Sequence, residues 1–231
     1  MRQFYDWAGR DKAHILVIPW ATSVPQESFD EFAKDFEGLP RASMELAPLA
    51  PIDADARSRL LQQLDRATAI WFTGGDQVKV MEVLQDRSLL LRLRQLYQSG
   101  VPFGGTSAGT AIMSPRMLTG QADLSVIDGS RVETREGLGL LPDSVIVDQH
   151  FLKRQRENRL FGLLLQHPHS LGLGIDEDTA VLLEAGHQAR VEGSSQVMVI
   201  APGSASDTLK LRLYRAGQSF PLAPQAAGEQ P

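Results

Sequence analysis

The sequence contains no cysteine among its 231 residues. This absence excludes disulfides, thiolate nucleophiles and cysteine-based metal sites. A chain of this length can bury most of its apolar surface in a hydrophobic core, so a stable fold does not require a disulfide.

The sequence also lacks a long apolar run. No stretch approaches the roughly 18 consecutive apolar residues of a membrane-spanning helix. Residues 1–14 carry charges throughout and contain no apolar centre of the kind found in signal peptides. We therefore expect no membrane association and a cytoplasmic location, with a processed, exported form as the alternative.

An excess of positive charge is missing as well. The net charge is -5, with 42% hydrophobic and 22% charged residues, which is typical of globular proteins. Such a chain has no overall electrostatic attraction to nucleic acid or to an anionic membrane. Because no clustered ligand spacing occurs either, the sequence predicts neither a metal nor an organic cofactor.

The first half of the chain alternates predicted strands and helices. Phe29, Phe32 and Phe36 form a helical stripe that we expect in the core, and Asp53 is a plausible helix N-cap. Such an alternation with short turns favours a parallel sheet with helices on both faces. The predicted strands are 14–21, 44–49, 69–72 and 101–103, and the predicted helices are 27–36, 54–67, 77–84 and 89–97.

The second half shows a different pattern. Short strands separated by turns indicate antiparallel hairpins added to the parallel sheet. We predict a single α/β domain over residues 1–215 and a flexible tail over 216–231, which is rich in Pro, Gly, Gln and Ala. The predicted elements are strands at 145–147, 171–175, 180–183, 188–191, 196–200 and 209–214 and a helix over 154–165.

The pentapeptide Gly-Thr-Ser-Ala-Gly at 105–109 has the form of a nucleophile elbow. It lies between an apolar strand and a predicted helix over 108–113, which is the context in which such a turn exposes a serine. The Ala108 amide would then point at a developing oxyanion. A tightly packed turn or a phosphate loop is the alternative, although no lysine of the kind that phosphate loops add is present here.

A serine hydroxyl needs a base, because it is a poor nucleophile at neutral pH. His150 directly follows the strand 145–147, and active sites gather at the carboxyl ends of strands in open parallel sheets. That position favours it over the other histidines, which are His14, His167, His169 and His187.

A carboxylate should orient the imidazole of the base. Glu177 follows the apolar strand 171–175, and Asp176, Asp178 and Asp123 are rivals. Because the geometry of a triad is spatial, sequence spacing leaves this choice open.

Together the motifs resemble a known family. Phe-Thr-Gly-Gly-Asp-Gln at 72–77, the pentapeptide at 105–109, Asp-Gln-His-Phe at 148–151 and Gly-Ile-Asp-Glu-Asp-Thr-Ala at 174–180 occur in the order and at spacings similar to those of cyanophycinases. These are serine peptidases related to the bacterial aspartyl dipeptidase. The resemblance implies an α/β fold like that of class I glutamine amidotransferases, with a doubly wound, mostly parallel sheet. The amidotransferase reaction itself is excluded, because its nucleophile is a cysteine.

The resemblance also implies roles for individual residues. Ser107 would be the nucleophile, His150 the base and then the acid, and Glu177 the orienting carboxylate. Backbone amides near Gly75 and Ala108 would form the oxyanion hole. Residues implied to line the substrate pocket are Gln77, Asp148, Gln149, Arg154, Arg156 and Arg159. For the arginines the alternative is a solvated helix face, and Asp148 could instead pair with a nearby arginine.

The implied reaction is hydrolysis of the aspartyl backbone of cyanophycin, multi-L-arginyl-poly-L-aspartate, to β-Asp-Arg dipeptides. The alternatives are an α- or β-aspartyl dipeptidase and a non-catalytic binding module on the same fold. The partner would be a peptide or polypeptide with aspartyl residues, and the family implies monomers or homodimers.

Two features depart from the family pattern. Family members place a strand and a glycine-rich segment before the strand matched by 14–21. Either the fold does without that strand or another segment replaces it. Residues 120–140 match poorly, as substrate-binding loops often do.

Overall fold

The computed structural model describes residues 1–184, 188–205 and 207–222. The chain divides into two compact units, one over Met1–Ile112 and the other from Met113 onward. The prediction of a single domain over 1–215 stays a prediction.

The first unit is built on a parallel sheet. Its strands are β1 (His14–Ile18), β2 (Ser43–Leu46), β3 (Ala69–Phe72) and β4 (Phe103–Gly105). They lie in the order β2-β1-β3-β4, and every neighbouring pair is parallel. The chain passes from β2 on one side of β1 to β3 on the other. In open α/β sheets such a reversal leaves a crevice at the carboxyl ends of the strands, where ligands bind.

Helices connect these strands, and several begin at an aspartate. Asp53, Asp76 and Asp86 each accept backbone N–H groups at a helix start, which satisfies donors that have no partner within the helix. The N-cap predicted at Asp53 is confirmed, since its side chain accepts from the Ala56 amide at 2.7 Å. The helices are α1 (Arg2–Trp7), α2 (Pro25–Lys34), α3 (Ala54–Arg66), α4 (Gln77–Val83), α5 (Arg87–Gln98) and α6 (Ala108–Ala111), with a 3-10 turn at Arg10–Lys12.

Helix α1 was not predicted from the sequence, because six residues are too few for a periodic pattern to stand out. Its position is explained by burial of Phe4 and Tyr5 in an aromatic core. The Phe4 ring meets Trp71 edge-on at a centroid distance of 5.2 Å, and Phe32 stacks on the same indole at 4.9 Å. The segment before β1 is therefore a helix, and the predicted aromatic stripe of α2 faces the core.

The cap of α5 predicts an acid-sensitive contribution to stability. Hydrogen bonds to the Asp86 carboxylate, from Ser88 first and then from Arg57, lower its pKa from 3.8 to about 2. A lowered pKa stabilises the fold above the unfolded value and loses that effect as the pH falls through the folded value. We expect Asp86→Ala to lower the free energy of unfolding by ~1 kcal/mol at neutral pH. In urea unfolding, the difference in free energy of unfolding between the wild type and Asp86→Ala should be smaller at about pH 3 than at neutral pH. An equal difference at both pH values would contradict the stabilising role of the Asp86 carboxylate.

The second unit contains three described sheets. One has the order β12-β11-β8-β7, the second β13-β10-β9, and the third is the hairpin β5-β6. Strands β7 and β8 pair in parallel, whereas β8 with β11 and β11 with β12 pair antiparallel. The elements are β5 (Arg116–Ala122), β6 (Val132–Glu136), β7 (Val145–Gln149), α7 (Glu157–Gln166), β8 (Leu171–Ile175), β9 (Thr179–Glu184), β10 (Gln188–Gly193), β11 (Gln196–Pro202), β12 (Leu209–Arg215) and β13 (Ser219–Pro221), with a 3-10 turn at Gly129–Arg131.

Helix α7 covers one face of the larger sheet. Leu160, Leu163 and Leu164 lie in a buried cluster with Ile146 of β7 and Ile200 of β11. This packing brings the start of α7 close to the carboxyl end of β7, where the predicted base is located.

The α/β fold class is confirmed, with a parallel sheet and additional antiparallel strands. Besides helix α1, several local expectations differ from the structure. The helix predicted over 154–165 begins only at Glu157, the hairpin β5-β6 was not predicted, and β13 lies inside the segment expected to be a flexible tail. The rest of that segment, 223–231, lies outside the described residues. No helix of the described segments combines the length and apolar character needed to cross a membrane.

Candidate active site

Ser107 occupies a strained turn between β4 and α6. Its backbone has φ +52° and ψ -108°, outside the regions that L-residues normally adopt, and such a conformation costs about 1–3 kcal/mol. A Cβ on Gly105 would lie 2.5 Å from the Gly109 carbonyl, and one on Gly109 would lie 2.3 Å from the Phe72 oxygen. The two glycines of the motif are thus required by close backbone approach, as in a nucleophile elbow.

The loop that follows β3 lies beside this turn. A Cβ on Gly74 would be 3.3 Å from the Ser107 Cβ. Gly75 has φ +132°, and a Cβ there would lie 2.1 Å from the Ala21 oxygen. The Asp76 amide donates to that same oxygen at 2.8 Å. The first unit therefore brings the Gly-Gly pair, the segment that follows β1 and Ser107 together at the carboxyl edge of the sheet.

Two polar side chains of this loop are buried. Gln77 is the first residue of α4 and is 6% exposed. The Thr73 hydroxyl is also buried and has no hydrogen-bond partner among the described residues. The sequence offered no reason to single out Thr73, because a threonine between a strand and a Gly-Gly turn is equally expected for purely local reasons.

His150 terminates β7 in the second unit and contacts one acid. Its backbone has φ +51°, a left-handed conformation that costs about 1–3 kcal/mol and persists only where its surroundings enforce it. The Nδ1 atom lies 2.9 Å from Oε1 of Glu177, with the imidazole 21% and the carboxylate 38% exposed. This distance is that of the base-to-orienter hydrogen bond in serine hydrolases.

The rival acids have other contacts. Asp176 Oδ1 accepts the Lys153 amide at 3.0 Å, and its Oδ2 accepts the Ser195 hydroxyl at 3.1 Å. Asp123 pairs with Arg131 at 2.9 Å. Asp176 thus links the segment after His150 to the segment that carries Glu177. The sequence does not reveal this role, because Asp176, Glu177 and Asp178 are three adjacent acids.

The segment after His150 is anchored by Phe151. This side chain is fully buried, its amide donates to the Ile175 oxygen at 3.2 Å, and a Cβ on Gly174 would lie 2.2 Å from its ring. The Arg154 amide then donates to the His150 oxygen at 2.9 Å. Adjacent strand ends of β7 and β8 therefore present His150 and Glu177 side by side.

Asp148 and Arg159 form a buried ion pair next to His150. Arg159 Nε donates to Oδ2 at 2.7 Å and its Nη2 donates to Oδ1. The side chains are 1% and 3% exposed. Such a two-point contact uses the planar fork of arginine, which a lysine cannot reproduce.

Arg156 lies at the edge of this pair. Its Nη1 donates to the Gln149 oxygen at 2.7 Å and lies 3.7 Å from Asp148. Burial lowers the pKa of Arg156 to about 10, with repulsion from Arg159 adding to this effect and attraction to Asp148 opposing it. The guanidinium remains protonated at neutral pH, so positive charge exceeds negative charge in this cluster.

The three arginines predicted to line the pocket thus have different surroundings. Arg154 is exposed, Arg156 is mostly buried, and Arg159 points inward from α7. Arg154 and Arg156 both precede α7, since Gln155 adopts φ +52° and interrupts the helix predicted there. Residues two positions apart on one regular helix face different sides, and this break frees Arg154 and Arg156 from that constraint.

The other histidines lie elsewhere. His14 opens β1, at the end of the strand away from Ser107, and its Nδ1 lies 2.8 Å from the Ser43 hydroxyl. His167 ends α7, where burial and then the charge of Arg116 lower its pKa. His187 lies outside the described residues. In the parts of the chain that the structure describes, no three His, Cys, Asp or Glu side chains cluster as a metal site would require.

The chain is similar to known proteins in sequence and in fold. The cyanophycinase of Trichormus variabilis is 34% identical over 209 residues, which cover 90% of this chain and 70% of that protein. Peptidase E of Pasteurella multocida is 24% identical over 203 residues, covering 84% and 81%. The crystal structure of a peptidase from an acI-B1 actinobacterium has the same fold, with a TM-score of 0.67 and 22% identity over 95% of this chain and 90% of that one. The model of peptidase family S51 matches residues 1–191, and the chain therefore belongs to peptidase family S51.

Proposed function

We propose that this chain is a serine exopeptidase that hydrolyses the aspartyl backbone of cyanophycin to β-Asp-Arg dipeptides. The observation that carries the proposal is the 2.9 Å contact between His150 Nδ1 and Glu177 Oε1. This contact supports His150 and Glu177 over the other candidates in the sequence, and both stand in motifs that resemble those of cyanophycinases. The identity to the Trichormus cyanophycinase supports the same substrate class.

In the proposed reaction His150 takes the proton of the Ser107 hydroxyl as Oγ attacks an aspartyl carbonyl carbon. The amides of Gly75 and Ala108 donate to the resulting oxyanion. His150 then gives its proton to the leaving amine, the C–N bond breaks, and an acyl-enzyme remains. Water, deprotonated by His150, hydrolyses the ester and restores Ser107. Glu177 holds the imidazole with its Nδ1–H toward the carboxylate throughout.

Recognition is assigned to the polar side chains around the two motifs. A cyanophycin unit offers a free carboxylate and an arginine side chain. The excess positive charge of Arg154 and Arg156 suits the carboxylate. The amides of Gln77 and Gln149 suit the remaining polar groups. Asp148 is the acid among the residues implied to line the pocket, and its carboxylate is already paired with Arg159.

A panel of substrates tests the assignment. Purified protein is assayed with cyanophycin, β-Asp-Arg and α-Asp-Leu, each beside Ser107→Ala. We expect release of β-Asp-Arg from cyanophycin by the wild type alone.

We further expect Arg154→Ala to raise KM for cyanophycin by about tenfold or more, with little change in kcat, because the variant loses one charge-assisted hydrogen bond to the substrate.

The matched control for that variant is Arg131→Ala. Arg131 is an exposed arginine of the same unit that pairs with Asp123, so its removal should leave KM unchanged. An equal rise in KM for both variants would contradict a specific role for Arg154.

An aspartyl dipeptidase is the second candidate, favoured by the similarity to peptidase E of Pasteurella multocida. Cleavage of a dipeptide without release from the polymer would select it and leave the proposed catalytic residues unchanged. Binding of cyanophycin without serine-dependent turnover would instead select a non-catalytic module. A homodimer and a cytoplasmic location stay predictions.

A further inference from the structure

The ion pair between Asp148 and Arg159 contacts the backbone of Gln149, the residue before His150. The Asp148 Oδ1 atom accepts the Gln149 amide at 2.8 Å. On the other side of the same residue, Arg156 Nη1 donates to the Gln149 oxygen at 2.7 Å. The backbone N–H and C=O of Gln149 are therefore both held by charged side chains, those of Asp148 and Arg156. Asp148 is itself held by Arg159.

This arrangement bears directly on the conformation of His150. The Gln149 oxygen belongs to the peptide plane whose rotation sets φ of His150, and that angle is +51°. On the carbonyl side, the Arg154 amide holds the His150 oxygen at 2.9 Å. A non-glycine residue keeps such a left-handed conformation only where its surroundings enforce it.

We propose that Asp148 and Arg159 are positioning residues for His150 and do not bind the substrate. Arg159 holds Asp148 through two parallel hydrogen bonds. Asp148 fixes the peptide plane before Gln149 through the Gln149 amide, and it attracts Arg156, whose Nη1 holds the Gln149 oxygen in the plane that sets φ of His150. Together these contacts aim the imidazole at Glu177. The inference rests on the proposed function for its catalytic consequence, because His150 is the base there.

Burial and charge support positioning over recognition. Both side chains are almost fully buried, at 1% and 3% exposure. The guanidinium is matched by one carboxylate, and its Nη1 also reaches the Thr119 oxygen at 3.5 Å. Using Arg159 to bind a substrate carboxylate would break this pair and leave Asp148 as an unpaired buried charge, which is strongly unfavourable.

Arg159→Lys tests the proposal, because it keeps the charge and removes the fork. We expect kcat for cyanophycin to fall by about tenfold to a hundredfold, as small misplacements of catalytic groups do, with KM unchanged. Labelling of Ser107 by diisopropyl fluorophosphate, which has no carboxylate, should slow by the same factor. A rise in KM for cyanophycin with an unchanged labelling rate would overturn the proposal in favour of substrate binding.

The proton on His150 Nδ1 provides a measurement that does not depend on hydrolysis. In 15N-histidine-labelled protein, with His150→Gln for assignment, the wild type should show a downfield Nδ1–H signal from the contact with Glu177. Arg159→Lys should shift or broaden it. The double variant Asp148→Asn/Arg159→Gln, which removes both charges of the pair and keeps the net charge of the cluster, should do the same. An unchanged signal in both would overturn the proposal.

Val191→Ala is the matched control for general destabilisation. Val191 is a fully buried core residue of β10, so its truncation lowers stability without touching the pair. Val191→Ala should reduce Tm and leave both kcat and the Nδ1–H signal unchanged. A change in that signal would mean that loosened packing alone can shift it, and this would overturn the proposal. If the wild type shows neither hydrolysis nor labelling, the proposed function fails, and the NMR comparison still decides the positioning role.

Discussion

Replacing Ser107 by alanine should reduce hydrolysis of cyanophycin by about 10⁴-fold or more, as loss of the nucleophile does in serine hydrolases. The substitution removes one oxygen atom and adds no bulk. Alanine tolerates the backbone at φ +52° about as poorly as serine does, so the turn should keep its shape. Steady-state rates of peptide release measure the loss, and equilibrium binding of cyanophycin should survive it.

The matched control is Ser23→Ala, which removes an exposed hydroxyl of the same unit and should leave the rate unchanged. Covalent labelling gives an independent test. Diisopropyl fluorophosphate should add to Ser107 in the wild type and not in Ser107→Ala, as seen by mass spectrometry of the peptide containing 105–109. Full activity of Ser107→Ala would exclude the serine mechanism.

Replacing Glu177 by glutamine should reduce kcat by about a hundredfold to 10⁴-fold, the range expected when an orienting carboxylate becomes neutral. The shape of the side chain is retained, but the negative charge beside Nδ1, 2.9 Å away, is lost. The amide can also turn its NH₂ group toward Nδ1 and hold the imidazole in the wrong tautomer. With the carboxylate 38% exposed, water compensates part of the loss.

Asp178→Asn is the matched control, because it neutralises the adjacent acid in the same loop. Asparagine is also well suited to the left-handed backbone of this position, φ +53°. Its kcat should stay within about twofold of the wild type, as for a surface substitution. Equal losses in the two variants would mean that the local charge matters and that Glu177 has no specific role.

The arginines after His150 illustrate how one sequence motif divides into different structural roles. Arg154 and Arg156 lie on the turn before α7, whereas Arg159 points from α7 into the interior. The break arises from Gln155 in a left-handed conformation, which no residue pattern in this segment signals. Arginines two and three positions apart therefore meet different partners.

Some features were evident from sequence because they depend on local chemistry. The alternation of apolar runs and amphipathic segments predicted β1, β3 and the α/β class, and the Gly-x-Ser-x-Gly pattern predicted the turn at Ser107. The close approaches at Gly105 and Gly109 explain why that pattern is so informative, since only glycine fits there. Helix α1 escaped prediction, because its stability comes from aromatic contacts with residues distant in the chain.

The α/β class, the tight turn at Ser107 and the family resemblance follow from the order of the amino acids, because periodicity, turn chemistry and motif order are properties of neighbouring residues. The contact of Glu177 with His150, the link that Asp176 makes between two loops and the pairing of Arg159 with Asp148 become visible in three dimensions alone. These contacts depend on which strand ends and helix faces meet in space. Hydrogen bonds and ion pairs select partners by distance and burial, and residues 27 and 11 positions apart carry no local signal of their contact.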